Sequence, residues 1–444
     1  SAMRCIWKCA AGCWLNRLRV IAMARCVHLL FLTVLLSLAS PSMSAEIIVE
    51  ATDGSLANAI KTAEAGDILR LLPGIHKGPI EINKTLMLDG AGAATIKGNG
   101  TGSVISVKAP DVTIRRLIIS GSGLLGKDKD AGVALFKTAI GALVEDNRII
   151  GNLVGVNIQG AKNAIVRNNV IEGRRDARMN SRGNGVYVWN APGAKVIGND
   201  VRWGRDGIFV NTSTNNEFSG NRFRDLRFAV HYMYAHNSII SQNTSIGNRL
   251  GYAIMFSNNV TITGNVSRKD RKYGLMLNYT NSSEIRGNSI ENVDGKCVFI
   301  YNAHKNTLTG NRFVGCNTGI HFTAGSERNQ ITENAFIANR VQVKYVSSRW
   351  VEWSVNGRGN YWSDHGAYDF DGDGIADQVY RPNDIMDQVL WTQPAARALL
   401  GSPAIQLIRW SQSAFPALLP GGVIDRYPLM QPVSLQIRPW KAAQ

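Results

Sequence analysis

The sequence predicts an all-β fold, a single right-handed parallel β-helix, and three observations carry that expectation. Asparagine recurs in similar contexts at Asn147, Asn169, Asn199, Asn221, Asn243, Asn265, Asn288, Asn311 and Asn334, in steps of 22 or 23 residues apart from one of 30. Each unit holds short alternating stretches, such as Val260-Thr-Ile262 before Asn265 and Gly251-Tyr-Ala-Ile-Met255 later in the coil, which is the period of a strand. No helix-length pattern separates them. Two or three such strands per unit fit one coil of a solenoid, in which each unit buries its apolar side against its neighbours. The recurrent asparagine suits a turn, since it tolerates left-handed backbone and can hydrogen-bond to its copy in the next coil. A leucine-rich horseshoe would need a Leu-rich frame, whereas these units are rich in Val, Ile, Gly and Asn. The long step is one period plus an insertion at 174–182.

Residues 1–45 read as a leader. They hold five bases and no acid, a short apolar run at 29–38 and small residues at Ser42-Met-Ser-Ala45. A run this short is a signal-peptide core rather than a membrane span, although a retained anchor is the alternative. Residues 1–22 read as an over-extended start, with Ser1-Ala2 resembling a cloning scar. Without the leader the net charge falls from +16 to +11, and of six cysteines only Cys297 and Cys316 remain. Export permits a disulfide between them, with two free buried thiols as the alternative.

The solenoid is expected over 46–345. Leu56–Ala65 reads as an amphipathic helix closing its front, because an open end exposes unpaired strand edges. Residues 346–444, rich in Trp, Asp and Pro, form a C-terminal cap or docking segment. Pro394–Ser413 reads helical with a break at Gly401-Ser-Pro403, and Leu400 and Trp410 are docking candidates on its apolar side.

Alternation sorts the strand residues into inward and outward sets. One outward column runs Phe209, His231, Ala253, Met276, Phe299, His321; its neighbour runs Asn211, Met233, Met255, Asn278, Tyr301, Thr323. His231, Met233, Met255 and Met276 would cluster, with His236 nearby. Three thioethers and an imidazole form a soft ligand set suited to Cu(I). The alternatives are a partner-binding stripe including Phe209, Tyr232, Tyr234, Phe299 and Tyr301, or a surface covered by the C-terminal segment. A register shift of one residue would instead bury the methionines.

The loop Asp369-Phe-Asp371-Gly-Asp373-Gly374-Ile-Ala-Asp377 offers oxygens at positions 1, 3, 5 and 9 of a calcium loop. Position 12 is Tyr380, so the usual glutamate is missing. An acidic turn closed by its own Asp–backbone hydrogen bonds is the alternative. A polysaccharide lyase, hydrolase or epimerase would need paired carboxylates on one face. The outward columns contain none, so catalysis has weak support and no catalytic residue is assigned. The basic residues are scattered and export argues against nucleic acid as a partner.

Several stretches resemble a known family. Phe228-Ala-Val-His-Tyr-Met-Tyr234, Ser245-Ile-Gly-Asn248, Gly251-Tyr-Ala-Ile-Met-Phe-Ser257, Gly359-Asn-Tyr-Trp-Ser363, Tyr368-Asp-Phe-Asp-Gly-Asp-Gly374, Tyr380-Arg-Pro382 and Asp425-Arg-Tyr-Pro-Leu-Met430 are similar to the periplasmic nitrous oxide reductase maturation family NosD. The similarity covers about residues 46–435. It implies a non-enzymatic accessory factor for copper-site assembly, with three kinds of partner: an ABC-type membrane subunit with its ATPase, a copper chaperone, and nitrous oxide reductase. It does not say which residues meet copper or partners. Transient Cu(I) and a calcium ion are the cofactor expectations.

Overall fold

A computed structural model describes residues 44–175, 178–323, 325–345, 349–383, 389, 393–399, 401–415 and 421–435. The expected leader lies almost wholly outside these residues, as does Leu400. From Glu46 to Trp362 the described residues wind as a parallel β-helix. Its described strands form three long sheets of 13, 12 and 13 strands, and every strand in them pairs with the strand one coil before or after it.

The coil interior is built by alternation. In the 12-stranded sheet Val186, Ile208, Val230, Tyr252, Leu275, Val298, Ile320 and Val343 stand opposite one another in successive coils, all buried. Two residues further on, Val188, Val210, Tyr232, Ile254, Leu277, Ile300, Phe322 and Tyr345 form a second buried column. Each such side chain contributes about 1.5–3 kcal/mol by leaving water, so every added coil stabilises its neighbours.

The asparagines form one continuous ladder. Asn243 Nδ2 donates to Asn265 Oδ1 at 2.9 Å and to the Phe218 carbonyl at 2.8 Å, while its own Oδ1 accepts from Asn221. The pattern repeats from Asn147 to Asn334. It then continues to Asn360, beyond the expected series, and ends on Asp425. A buried amide is stable here because its donors and acceptors are met in every coil.

The two ends differ from expectation in detail. At the front, helix Ser55–Thr62 buries Leu56, Ala59 and Ile60, but strand Glu46–Val49 precedes it and already pairs with Ile68–Leu71. At the back the stacking passes residue 345, because Tyr361 and Trp362 pair with Ala335 and Phe336. Trp353 and Trp362 close the core against Phe336, with Tyr380 tilted against Trp362. Helix Pro403–Ala414 buries Ile405 but leaves Leu407 and Trp410 exposed, as is Phe415 just after it. The aromatic plug covers the end of the core. Cys297 and Cys316 are joined by a disulfide, which settles the open alternative.

Candidate functional site

The outward columns follow the expected register. Phe209, His231, Ala253, Met276, Phe299 and His321 stand in one row, and Asn211, Met233, Met255, Asn278 and Tyr301 in the next. The methionines are therefore on the outer face. A cleft of about 460 Å³ lies over this face, lined by His231, Met255, Met276, Phe228, Tyr273 and Phe299 with Arg227, Arg249, Leu250, Lys272 and Asn180 around them.

His231 is held from three sides. Its ring stacks on Phe228, centroids 4.5 Å apart, and tilts against Phe209 at 4.8 Å. Its Nδ1 lies 3.2 Å from Asp206 Oδ2. A carboxylate only accepts, so Nδ1 carries a proton and Nε2 is the ring nitrogen left to meet a metal. Carboxylates behind metal-binding histidines do the same, fixing tautomer and orientation. Asp206 is fully buried and accepts from Arg227 Nε at 2.8 Å and Nη2 at 2.7 Å. Burial alone would raise its carboxyl, but the bonds from His231 and Arg227 outweigh burial and hold it below the usual range.

The far end of the row is different. His321 tilts against Phe299 at 5.0 Å, and burial, then the charges of Lys296 and Lys344, bring its imidazole down to about 3. It is neutral at any physiological pH.

Several expected site residues fall elsewhere. Tyr232 belongs to the inward column and is buried, so it cannot touch a partner; Val230 and Tyr232 point inward because His231 points out. Met233 pairs with Met255 in register but does not line the cleft. His236 turns to a corner, where its Nδ1 accepts from the Asn258 amide at 3.0 Å. Tyr234 is exposed and opens a ladder with Phe256, Tyr279 and Tyr301, the first two pairs stacked at 5.0 Å. Its first three members have positive φ, which bulky residues rarely adopt. Trp410 is exposed on its helix.

In the acidic loop, carboxylate oxygens of Asp369, Asp371 and Asp373 lie within 4.8 Å of one another, without Asp377. Asp369 accepts from the amides of Gly372 and Gly374, Asp373 from Ile375, and Asp377 from Phe370. These bonds tie the loop to its own backbone while the three carboxylates stay grouped. Sequence reasoning missed Asp206 and Phe228 as parts of the site. The signal for the first was an acid one coil before the histidine strand.

Residues 167–367 match the family model described as periplasmic copper-binding protein (NosD). A probable ABC transporter binding protein NosD from Stutzerimonas stutzeri is 40% identical over 376 residues, covering 82% of this chain and 86% of the relative. Its namesake from Pseudomonas aeruginosa is 41% identical over 382 residues, covering 83% and 89%. Among solved structures, the A-module of the mannuronan C-5 epimerase AlgE6 from Azotobacter vinelandii superposes with a TM-score of 0.53 at 14% identity, covering 66% of this chain and 90% of that one. A PL6 alginate lyase bound to a trisaccharide gives 0.52 at 13%, covering 69% and 88%. At these identities the two structures share the solenoid fold, whereas the curated relatives are similar in sequence over more than four fifths of the chain: the chain belongs to the NosD family.

Proposed function

We propose that this chain is a periplasmic accessory protein for copper-site assembly in nitrous oxide reductase, and that the cleft relays Cu(I) or docks its carrier. One observation carries the proposal: Asp206 holds the proton on His231 Nδ1, leaving Nε2 as a donor on the same cleft as the thioethers of Met255 and Met276. Imidazole and thioether suit Cu(I), while hard cations prefer oxygen. The family description as copper-binding supports the same cargo. The printed role of the relatives as ABC transporter binding proteins supports an ABC-type membrane subunit with its ATPase as one partner. The exposed Leu407, Trp410 and Phe415 offer an apolar surface for that contact. A copper chaperone would supply the metal and the reductase would receive it. No enzymatic step is assigned, because the only carboxylate touching the cleft residues, among those described, is Asp206, and both its oxygens are engaged.

The test is the double substitution Met255→Ala and Met276→Ala in cells that make the reductase. The variant should fold normally while the reductase accumulates copper-poor. Normal copper content in the reductase would sink the proposal.

A further inference from the structure

The cleft has one strongly cationic edge. Asp206, Phe228, Leu250, Tyr273 and Lys296 stand opposite one another in successive coils. The residues just before the first four are Arg205, Arg227, Arg249 and Lys272. Five cations therefore follow one another along this edge, at roughly 4.8 Å per coil.

Asp206 neutralises the first two, with Arg227 at 2.7 Å and Arg205 at 3.5 Å. Among the described residues no carboxylate pairs with Arg249, Lys272 or Lys296. Instead, Lys272 lies 5.0 Å over Tyr273, and Lys296 lies 5.0 Å over Tyr273 and 4.3 Å over Phe299. Burial, then the charges of Lys344 and Lys272, bring the Lys296 ammonium down to about 8. The crowding is local. On the other two sheets Arg167 pairs with Glu145, Arg202 with Glu172, Arg224 with Asp200 and Arg268 with Glu291.

We propose that Arg249, Lys272 and Lys296 form the docking edge for a carboxylate-bearing segment of the protein that exchanges copper at this cleft. The proposal rests on the copper reading of the face and names the chemistry of its partner. Unmatched charge beside a soft-metal floor disfavours a free Cu⁺ and favours an anionic carrier, whose carboxylates cancel the edge while the metal passes. Arg227, Arg249 and Lys272 line a concave cleft, with Lys296 beside it over Phe299, so a flat anionic bilayer would meet the row without reaching the floor. A glycan would find aromatic faces already covered by cations or by each other.

The probe is a synthetic peptide alternating glutamate and methionine, compared with its glutamine counterpart, binding the full chain. The glutamate peptide should bind about tenfold more tightly, with a steep loss in salt. The triple substitution Arg249→Gln, Lys272→Gln and Lys296→Gln should erase that preference. The control Lys137→Gln, Lys162→Gln and Lys305→Gln, at exposed lysines elsewhere, should keep it. Equal binding of the two peptides, a preference that survives the cleft triple, or tighter binding of phosphatidylglycerol vesicles or alginate oligomers through the same cations would each overturn the proposal. Cu(I) uptake, measured by chelator competition, separates the two claims. A peptide preference without Cu(I) uptake would overturn the direct relay of Cu(I) and leave the docking edge standing.

Discussion

The solenoid presents outward surfaces of opposite character on the same backbone. On the two 13-stranded sheets, outward charges of opposite sign meet between neighbouring coils, as Arg224 meets Asp200 and Arg167 meets Glu145. On the 12-stranded sheet between Asp206 and His321, the same positions hold Phe, His and Met, beside cations that meet one buried acid. Stacking identical coils explains neither choice, because inward columns and the asparagine ladder serve every face equally. A face that pairs its own charges needs nothing further. The cleft face leaves soft donors and cations unmatched, and that difference is why we propose it as the working surface.

The largest expected effect lies at the one acid of the cleft face. Asp206→Asn removes the buried charge that Arg227 and His231 meet and should cost about 3–5 kcal/mol in denaturant unfolding. Glu172→Gln, its counterpart on a paired face, should cost under about 1 kcal/mol. Equal losses would erase the distinction between the faces.

The ladder beneath them should be indifferent to face. Asn243→Ala takes the partner from the Asn221 backbone amide, one of two from its side-chain amide, and the asparagine donor from the Phe218 carbonyl, at a cost of about 3 kcal/mol. A loss below about 1 kcal/mol would show that the ladder is ornamental.

The acids also respond to pH with opposite signs. Burial raises Asp270, in the core, and Asp425, at the ladder's end, to about 6. Their folded values exceed the ordinary 3.8, so the stability they contribute is complete below that value and is lost as pH rises through about 6. Asp206 is lowered, so its contribution is present at neutral pH and lost as pH falls through its folded value. Unfolding free energy should thus drop by a few kcal/mol between pH 4 and about pH 7, and Asp270→Asn should flatten part of that slope. A pH-independent curve in that window would contradict the assignment.

The smallest effect is a change of sign. Lys296→Met removes a cation with no acid beside it and should be neutral or stabilising by a few tenths of a kcal/mol once solvent screening is allowed for. Arg224→Met breaks a pair and should destabilise by a similar amount. Matching signs would mean that the two faces manage charge alike.

Much of this was legible from spacing. The period of 22–23 and the alternation within each coil place the His231–Met276 columns without structural help, because a one-residue slip would turn every apolar side chain outward. The same alternation already assigns Tyr232 inward; the docking role came from the conspicuous His-Tyr-Met-Tyr stretch instead. Asp206 was hidden because its bond to His231 spans 25 residues and exists only through the coil register. Asn360 and Asp425 were hidden because steps of 26 and 65 residues break the period. The disulfide joins residues 19 apart, less than one coil, so spacing alone left it open.

The most direct test is X-ray absorption on the Cu(I)-loaded full chain, with and without Met255→Ala and Met276→Ala. The account predicts thioether sulfur and one imidazole nitrogen around copper, with the sulfur signal lost in the double variant. Coordination by nitrogen and oxygen alone, or a sulfur signal unchanged by the two substitutions, would contradict it.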